Sequence, residues 1–375
     1  MNERTPVRIR SIDVLSFRNH EAVTVRPGPG MTILVGPNAI GKSNLLEAVT
    51  LVSSATSFRQ FSWPDVVKEG EALARVRLDA ERGLVPVRLG LDVESSGRKS
   101  FFVDGTKKRK ASDVAGRVPV VTFVPDDLQL AKGSGEVRRH ALDVLGSQLS
   151  PAYGTLRSEY GKIVRQRTAL LKQGEARRDT VEWDEVLART GASFFIHRAR
   201  LASRIEEAIV PFYETLSVGE RVEMRFETSW GGETRPPREW AAASRDEVEW
   251  LMREALERVS RKERARGVTL VGPHRDDLVL LIEGLSARGF ASQGQQRSLA
   301  LAWKMAEAEV VGAVLGCTPV LLLDDVMSEL DEKRRAALQE FVESGPQALL
   351  TTTNLAYFAP EMLEEAEIVE VADVR

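Results

Sequence analysis

The 375-residue sequence contains a single cysteine, Cys317, and only four histidines. One cysteine excludes an intramolecular disulfide, and the scattered histidines do not have the spacing of zinc ligands. The longest apolar stretch, residues 310–323, is too short to span a bilayer and is interrupted by Thr318 and Pro319. Residues 1–6 lack the apolar core of a signal peptide. We therefore expect a soluble, cytoplasmic protein in a reducing compartment, with no membrane partner.

The sequence also lacks an excess of positive charge. Its 52 Lys and Arg are outnumbered by 55 Asp and Glu, which gives a net charge of −3. A nucleic-acid surface would therefore have to come from local clusters of basic residues. The length corresponds to about two to three domains with a sizeable core.

A complete G-x-x-x-x-G-K-[ST] phosphate loop is the most informative feature that is present. It follows an apolar run at residues 33–35 and precedes a stretch with helical apolar spacing at residues 45–52. In this strand–loop–helix context the backbone N–H groups and the helix N-terminus bind phosphates, while the lysine contacts phosphate and the hydroxyl ligates Mg²⁺. The alternative, a glycine-rich turn without a ligand, is disfavoured by that context. The sequence predicts an ATP and Mg²⁺ site formed by Gly36, Pro37, Asn38, Ala39, Ile40, Gly41, Lys42 and Ser43.

Two aspartates directly follow the very apolar segment 320–323. Phosphate-loop chemistry needs a carboxylate at the end of a neighbouring strand to hold Mg²⁺, and Asp324 has that position. Asp325 would then orient or deprotonate the attacking water. Because aspartate is one methylene shorter than glutamate, we expect slow turnover. The alternative for such a pair is a helix cap or a turn.

A second candidate phosphate-binding segment comprises Ser292, Gly294 and Gln295, some thirty residues before Asp324. Ser292 is a good helix N-cap, and capping alone could account for half of this pattern. A hydroxyl and exposed N–H groups at a helix N-terminus also suit an anion. We predict that this segment closes over the γ-phosphate of ATP.

The chain changes character twice along its length. Strand-like alternation dominates the first part, as at residues 85–93, and long helical patterns follow. We predict three regions: 1–130, the N-terminal part of an ATPase head with the phosphate loop; 131–266, a helical insertion; and 267–375, the C-terminal part of the head. A fully apolar strand suits the centre of a parallel sheet, so the two outer regions are expected to share one α/β sheet.

Three clusters of basic residues are candidates for DNA contact. Residues 157–178 contain seven Lys or Arg against two Glu, and residues 253–266 contain six against three. Residues 107–110 are all basic. Most such runs are only solvated helix faces. The functional alternative is a phosphate-binding surface without base readout.

Taken in order, these motifs resemble the ABC-type ATPase heads of the SMC-related kind and, more narrowly, the RecF family. This resemblance implies an α/β fold: an ABC-type ATPase head with a mixed or parallel sheet and an antiparallel β subdomain, plus an inserted α-helical lobe without a long coiled coil. Ala39 and Ser43 depart from the Gly and Thr that are usual in the family; serine can still ligate Mg²⁺, and alanine is tolerable if its φ is negative. The resemblance rests on residues 15–19, 36–44, 57–59, 123–128, 132–133, 138–139, 272–277, 293–297 and 321–331.

The resemblance implies a homodimer that forms on ATP, in which Ser292, Gly294 and Gln295 of one copy contact nucleotide held by Lys42 of the other. It also makes Arg18 a nucleotide contact. Lys42 and Asp325 would be catalytic in a weak, DNA-stimulated ATPase. The γ-phosphate sensor is sought among residues 351–353, and Gln129 is one candidate for the glutamine loop.

The resemblance further implies a role in DNA repair, recombination and replication. The expected partners are single-stranded DNA, double-stranded DNA and their junctions, with RecR and RecO-like mediators that load recombinase at gaps. The alternative is an ABC nucleotide-binding subunit of a transporter. Such a subunit usually has a switch histidine and a much smaller insertion.

Overall fold

The computed structural model describes residues 4–173, 177–231, 234–343 and 345–371. The chain forms two compact units, one from residues 1–127 with 301–375 and the other from residues 128–300. The predicted mixed α/β head with an antiparallel subdomain and a helical insertion is confirmed. The finer division at residues 130 and 266 stays a prediction based on motif content.

The first unit contains most of the strands. Before residue 127 its elements are β1 (Thr5–Phe17), β2 (His20–Val25), β3 (Met31–Val35), α1 (Lys42–Ser54), β4 (Leu73–Arg82), β5 (Val85–Glu94), β6 (Lys99–Val103), β7 (Thr106–Lys108) and β8 (Val120–Phe123). The second unit contributes α2 (Gln129–Lys132), α3 (Gly135–Leu149), α4 (Pro151–Lys172), α5 (Arg177–Leu216), β9 (Val222–Glu227), α6 (Pro237–Ala242), α7 (Arg245–Arg266), β10 (Asp277–Ile282), β11 (Leu285–Ser286) and α8 (Ala287–Phe290). Helix α9 (Gln293–Leu315) begins in the second unit. It is followed in the first by β12 (Cys317–Thr318), β13 (Val320–Asp324), α10 (Glu332–Glu343), β14 (Ala348–Thr352), α11 (Pro360–Glu365) and β15 (Glu367–Glu370).

A mostly antiparallel sheet in the first unit has the order β12-β1-β4-β5-β6-β7, in which β12 pairs with β1 in parallel and β2 pairs with β1 antiparallel. The alternation predicted at residues 85–93 produces β5, where Leu89, Leu91 and Val93 are buried. A two-residue turn, Asp104-Gly105, with φ of 49° and 77°, joins β6 to β7 as expected for a type I′ hairpin.

A parallel sheet in the same unit has the order β15-β3-β14-β13-β8. Every residue of β13 and β14 is buried, which explains why these strands are almost entirely apolar. In the register, Thr351 lies opposite both Leu34 of β3 and Asp324 of β13. The carboxyl ends of these three strands therefore meet at one edge of the sheet.

The second unit is a helical lobe with a small antiparallel sheet, β11-β10-β9. Helix α5, the longest helix in the described ranges, packs against α3, α4, α6 and α7. Its apolar face is therefore covered within the lobe, as in a globular helix bundle.

Residues 272–277 tie this lobe together through buried polar contacts. Gly272 has a φ of 127°, and a Cβ there would lie 2.2 Å from the Tyr160 hydroxyl. The buried Asp276 carboxylate accepts hydrogen bonds from the Ser229 N–H and hydroxyl, at 2.7 and 2.8 Å, and from the Trp230 indole, at 3.1 Å. Residues 272–277 are therefore a structural junction of the lobe.

His274 lies within the same junction and is held as a neutral imidazole. Its Nδ1 is 2.8 Å from the Tyr160 hydroxyl and its Nε2 is 3.2 Å from the Thr269 carbonyl. With the proton on Nε2, the ring donates to the carbonyl and accepts from the hydroxyl. Burial lowers the pKa of His274 to about 4, despite the opposing effect of the hydrogen bond to Thr269.

We predict that stability falls in acid because of His274. The unfolded imidazole takes up a proton below about pH 6.5, whereas the folded one resists until about pH 4. The unfolding free energy should therefore lose on the order of 3 kcal/mol from this group as pH falls through that window. Denaturant titrations between pH 7 and 4 measure the effect. A His274→Gln variant should lose this part of the pH dependence, and equal slopes for both proteins would contradict the assignment.

Candidate nucleotide-binding site

The phosphate loop connects β3 to α1 and is supported by the turn between β1 and β2. Asn19 donates its amide N–H to the Ile40 carbonyl at 2.9 Å, and His20 Nε2 lies 3.0 Å from the Gly41 carbonyl. Gly41 has a φ of 108°, and a Cβ would lie within 2.6 Å of both supporting side chains. Glycine is required here both by its backbone angle and by this close approach.

Ala39 does not meet the condition under which an alanine was expected to be tolerable. Its φ is 64°, in the left-handed region, where a Cβ costs roughly 1–2 kcal/mol. Alanine therefore occupies a position that favours glycine in this loop. Because the loop is held at Ile40 and Gly41 by the neighbouring turn, the surrounding structure imposes this conformation.

Lys42 opens α1 and folds back over the loop. Its Nζ donates to the carbonyls of Gly36 and Pro37, at 2.7 and 2.8 Å. Burial lowers the pKa of the Lys42 ammonium, and the charges of Asp325 and Asp324 oppose this shift. The lysine and both predicted acidic residues are therefore brought together at one site.

Ser43 and Asp324 meet as predicted for a shared magnesium ion. The Ser43 hydroxyl donates to Asp324 Oδ1 at 2.6 Å, and the Thr351 hydroxyl donates to the same oxygen at 2.8 Å. Protein Mg²⁺ sites typically use one or two carboxylates together with phosphate oxygens and water. In the described ranges no group of three or more His, Cys, Asp or Glu side chains is placed to hold a metal. The oxygen donors of Ser43 and Asp324 fit Mg²⁺ bound together with a phosphorylated ligand.

Asp325 adopts a left-handed backbone conformation with a φ of 52°, and its N–H donates to the Thr351 hydroxyl at 3.0 Å. Its Oδ1 is buried and has no hydrogen-bond partner among the residues that the structure describes. Burial and the neighbouring Asp324 raise the pKa of the Asp325 carboxyl, against the effect of Lys42. A buried carboxylate oxygen without a protein donor is suited to accept a hydrogen bond from a bound water.

Thr351 and Glu47 are the site residues whose positions the sequence did not reveal. Residues 351–353 were considered only as γ-phosphate sensors, whereas Thr351 bonds to both acidic residues of the site. Glu47 is fully buried in α1 and accepts two hydrogen bonds from Arg18, at 2.8 and 3.1 Å. The sequence signal for Glu47 is a lone acidic residue between apolar positions of α1. Such a residue is expected to be buried and to need a hydrogen-bond donor. The predicted nucleotide contact of Arg18 stays a prediction.

The Ser292 segment lies in the second unit and forms a reciprocal cap at the start of α9. The Gln295 N–H donates to the Ser292 hydroxyl at 3.2 Å, and the Ser292 N–H donates to Gln295 Oε1 at 2.8 Å. The capping interpretation is thus confirmed, while Ser292 itself remains exposed. Contacts of Ser292, Gly294 and Gln295 with phosphate stay a prediction. Gln129 lies in α2 of this unit, and its glutamine-loop assignment is likewise untested.

Comparison with known proteins assigns the family. The model described as RecF/RecN/SMC N terminal domain matches residues 8–372. The DNA replication and repair protein RecF of Synechococcus sp. (strain JA-2-3B'a(2-13)) is 38% identical over 97% of this chain and 96% of its own. That of Heliobacterium modesticaldum is 37% identical over 97% of each chain.

The chain belongs to the RecF family. A solved structure of the recombination mediator protein RecF-ATPrS in the RecFOR pathway superposes with a TM-score of 0.87 at 30% identity, covering 96% of each chain. An Smc head domain from Pyrococcus furiosus shares the fold, with a TM-score of 0.54 at 14% identity.

The RecF and SMC proteins are a family of ATP-binding ATPases, and the resemblance stated from the motifs is confirmed. The comparisons favour this family over the transporter subunit that was the alternative. Across the described ranges, no helix combines the length and apolarity needed to cross a membrane.

Proposed function

We propose that the chain is an ATP-dependent DNA-binding protein of recombinational repair that dimerises on ATP and hydrolyses it slowly. The observation that carries the proposal is the convergence of Ser43, Asp324 and Thr351 beside Lys42, in a chain of the RecF family. RecF relatives have been solved with ATP and are named for DNA replication and repair, which supports both parts of the proposal.

In this proposal the loop N–H groups and Lys42 bind the triphosphate, and Ser43 and Asp324 hold Mg²⁺. When bound, the ion would neutralise charge on the phosphate oxygens. Asp325 accepts a hydrogen bond from the attacking water through its otherwise unpaired Oδ1, and its raised pKa suits a general base. Because the side chain is short, turnover is slow, and stimulation by DNA would come from better placement of Asp325.

A second copy of the chain is the proposed partner of the Ser292 segment. Ser292 is exposed. Leu285 and Phe290, which shortly precede it in the chain, are 56% and 72% exposed, and Val218 is 79% exposed. Val218 belongs to the turn whose Glu220 accepts a hydrogen bond from Gln295. Exposed apolar side chains grouped around a polar centre are typical of interaction surfaces. ATP favours the closed dimer because its γ-phosphate makes contacts that ADP lacks.

One arginine of the basic clusters is excluded from the proposed DNA surface because it is buried. Arg167 is buried and donates to Glu263 at 2.6 Å and Asp184 at 2.7 Å, so it is an internal ion pair and not a phosphate contact. Glu263 points inward, and every exposed charged side chain from residue 258 to the end of α7 is basic, although Glu257 just before this stretch is exposed. The basic side chains are Arg258, Arg261, Lys262 and Arg266, with Arg264 half-buried, and Lys172 of α4 lies beside the helix end at Gly267. Residues 174–176 of the first cluster lie outside the described residues.

We further propose that single-stranded DNA, double-stranded DNA and their junctions bind to this basic surface and to residues 107–110, through phosphate contacts. RecR and RecO-like proteins are the proposed mediators, since the solved RecF relatives act in the RecFOR pathway. Control of recombinase loading at DNA gaps would follow from ATP-dependent dimer formation.

Lys42→Met and Ser292→Arg should separate nucleotide binding from dimer formation. Removing the ammonium weakens ATP binding and thereby abolishes association, whereas an arginine at 292 leaves one nucleotide bound but obstructs the second copy. Light scattering with and without ATP, beside binding of a fluorescent ATP analogue, measures both properties. Equal mass of the wild-type protein in the apo, ADP and ATP states, at saturating nucleotide, would refute the ATP-dependent dimer.

Thr351→Val should lower ATP turnover about 10- to 100-fold, because Asp324 loses a hydrogen bond donated by that hydroxyl and the Asp325 N–H loses its acceptor. Thr352→Val is the matched control, since within the described ranges the Thr352 hydroxyl bonds with the backbone of Asn354 and not with the acidic pair. Steady-state hydrolysis at varied Mg²⁺ is the measurement. Comparable loss in both variants would show that Thr351 has no special role.

Replacing Arg261 and Lys262 by glutamine should weaken DNA binding at low salt and reduce the slope of log affinity against log salt by about 2. The matched control is Arg245→Gln with Arg253→Gln at the other end of α7, where each arginine is paired with an acidic residue. Fluorescence anisotropy with labelled DNA at 50–300 mM salt gives the slopes. A wild-type slope near zero would remove phosphate contacts from the proposal.

A further inference from the structure

Glu47 is a buried charge in the helix that follows the phosphate loop. It is the sixth residue of α1, its side chain has no solvent exposure, and its neighbours Leu46 and Ala48 are also fully buried. Leaving a carboxylate unpaired in such a place would cost several kcal/mol. The buried charge of Glu47 must therefore be compensated by the side chains that contact it.

Three side chains from outside α1 donate to this carboxylate. Arg18 makes a two-pronged contact through Nε at 3.1 Å and Nη2 at 2.8 Å. Ser57 donates its hydroxyl at 2.8 Å, and Arg59 Nη1 lies 3.4 Å away. Two guanidinium groups thus share one carboxylate, which balances only one of their two positive charges. Arg18 also donates through Nη1 to the Asp65 carbonyl at 2.9 Å.

Glu47 and its two arginines are connected to the phosphate loop by a continuous set of hydrogen bonds. Arg59 Nη1 donates to Asn44 Oδ1 at 2.7 Å, and the Asn44 amide donates to Asn19 Oδ1 at 2.7 Å. Asn19 in turn donates to the Ile40 carbonyl of the loop at 2.9 Å. The arginine side chains reach solvent, with 20% and 38% exposure, whereas the carboxylate that holds them does not.

We propose that Glu47 is a positioning residue for the triphosphate: it fixes the guanidinium groups of Arg18 and Arg59 beside the phosphate loop before nucleotide binds. The proposal rests on the proposed ATP-binding function and adds to it the residue that orders the arginines. Long arginine side chains lose conformational entropy when they engage a ligand, and a buried carboxylate that already orders them removes that cost from binding. The excess positive charge remains available for phosphate.

The direction in which Glu47→Gln changes the Kd for ATP distinguishes a positioning role from a purely electrostatic effect. Removing a negative charge beside a triphosphate site would by itself tighten binding of an anion. If Glu47 acts by ordering the arginines, the substitution instead weakens binding. We expect the Kd of a fluorescent ATP analogue with Mg²⁺ to rise about tenfold, in line with other residues that orient ligand-binding groups. An unchanged or lower Kd would overturn the proposal.

A matched control is Glu263→Gln. Glu263 is also a fully buried glutamate paired with an arginine, Arg167, but it belongs to the other compact unit. Both substitutions should lower the unfolding free energy, measured by denaturant titration, because each breaks a buried ion pair. Only Glu47→Gln should change the Kd. A similar rise in Kd for both would mean that the effect is general destabilisation.

A double-mutant cycle tests whether Glu47 acts through the arginines. In a background of Arg18→Gln with Arg59→Gln, the further change Glu47→Gln should alter the Kd less than twofold. A tenfold effect that persists in this background would overturn the proposal. If Glu47→Gln does not fold, Arg18→Lys replaces it: the charge is kept, the two-pronged contact is lost, and the Kd should again rise. Unaltered binding by that variant would count against positioning.

Failure of this inference is distinguishable from failure of the proposed function. If the wild-type protein does not bind the analogue, or binds it as well after Lys42→Met, the nucleotide site itself is wrong. If the wild-type protein binds and Lys42→Met does not, while Glu47→Gln binds like the wild type, only the positioning role is lost.

Discussion

The hydrogen bond between the Ser43 hydroxyl and Asp324 is the contact on which the rest of the site depends. The two residues are 281 positions apart in the sequence and 2.6 Å apart in the structure. They meet because β3, β14 and β13 run parallel and end at the same edge of one sheet. Thr351 then fixes both acidic residues from the strand between them. Loss of the parallel register would separate the phosphate loop from its carboxylate, whatever the local motifs.

Buried carboxylates paired with donors order both compact units. In the first, Glu47 holds Arg18 and Arg59 near the phosphate loop; in the second, Glu263 holds Arg167 and links α7 to α4. Such pairs add little net stability compared with well-packed apolar residues, but breaking one partner is costly. They therefore restrict which side-chain arrangements are compatible with folding, and near the phosphate loop this restriction serves ligand binding.

The parts predicted correctly from sequence are those encoded by local chemistry. These parts are the strand–loop–helix geometry around the phosphate loop, the position of Asp324 at the end of an apolar strand, the helix cap at Ser292 and the alternation that produces β5. The ligand contacts of these residues stay predictions. The missed features depend on contacts between distant segments. Nothing near Arg167 shows that it is buried, since its partner Glu263 is 96 positions away. The positive φ of Ala39 accompanies contacts of the loop with the β1–β2 turn, which the loop residues alone do not reveal.

A structure of the protein with Mg²⁺ and a non-hydrolysable ATP analogue would show whether Ser43 and Asp324 hold the metal ion and whether two copies of the chain share the nucleotide. We expect a metal ion about 2.1 Å from the Ser43 hydroxyl, with Asp324 as a direct or water-linked partner. We also expect a second copy of the chain whose Ser292 contacts the γ-phosphate. A single copy, with the ion held only by phosphates and water and the Ser43–Asp324 hydrogen bond intact, would contradict both expectations.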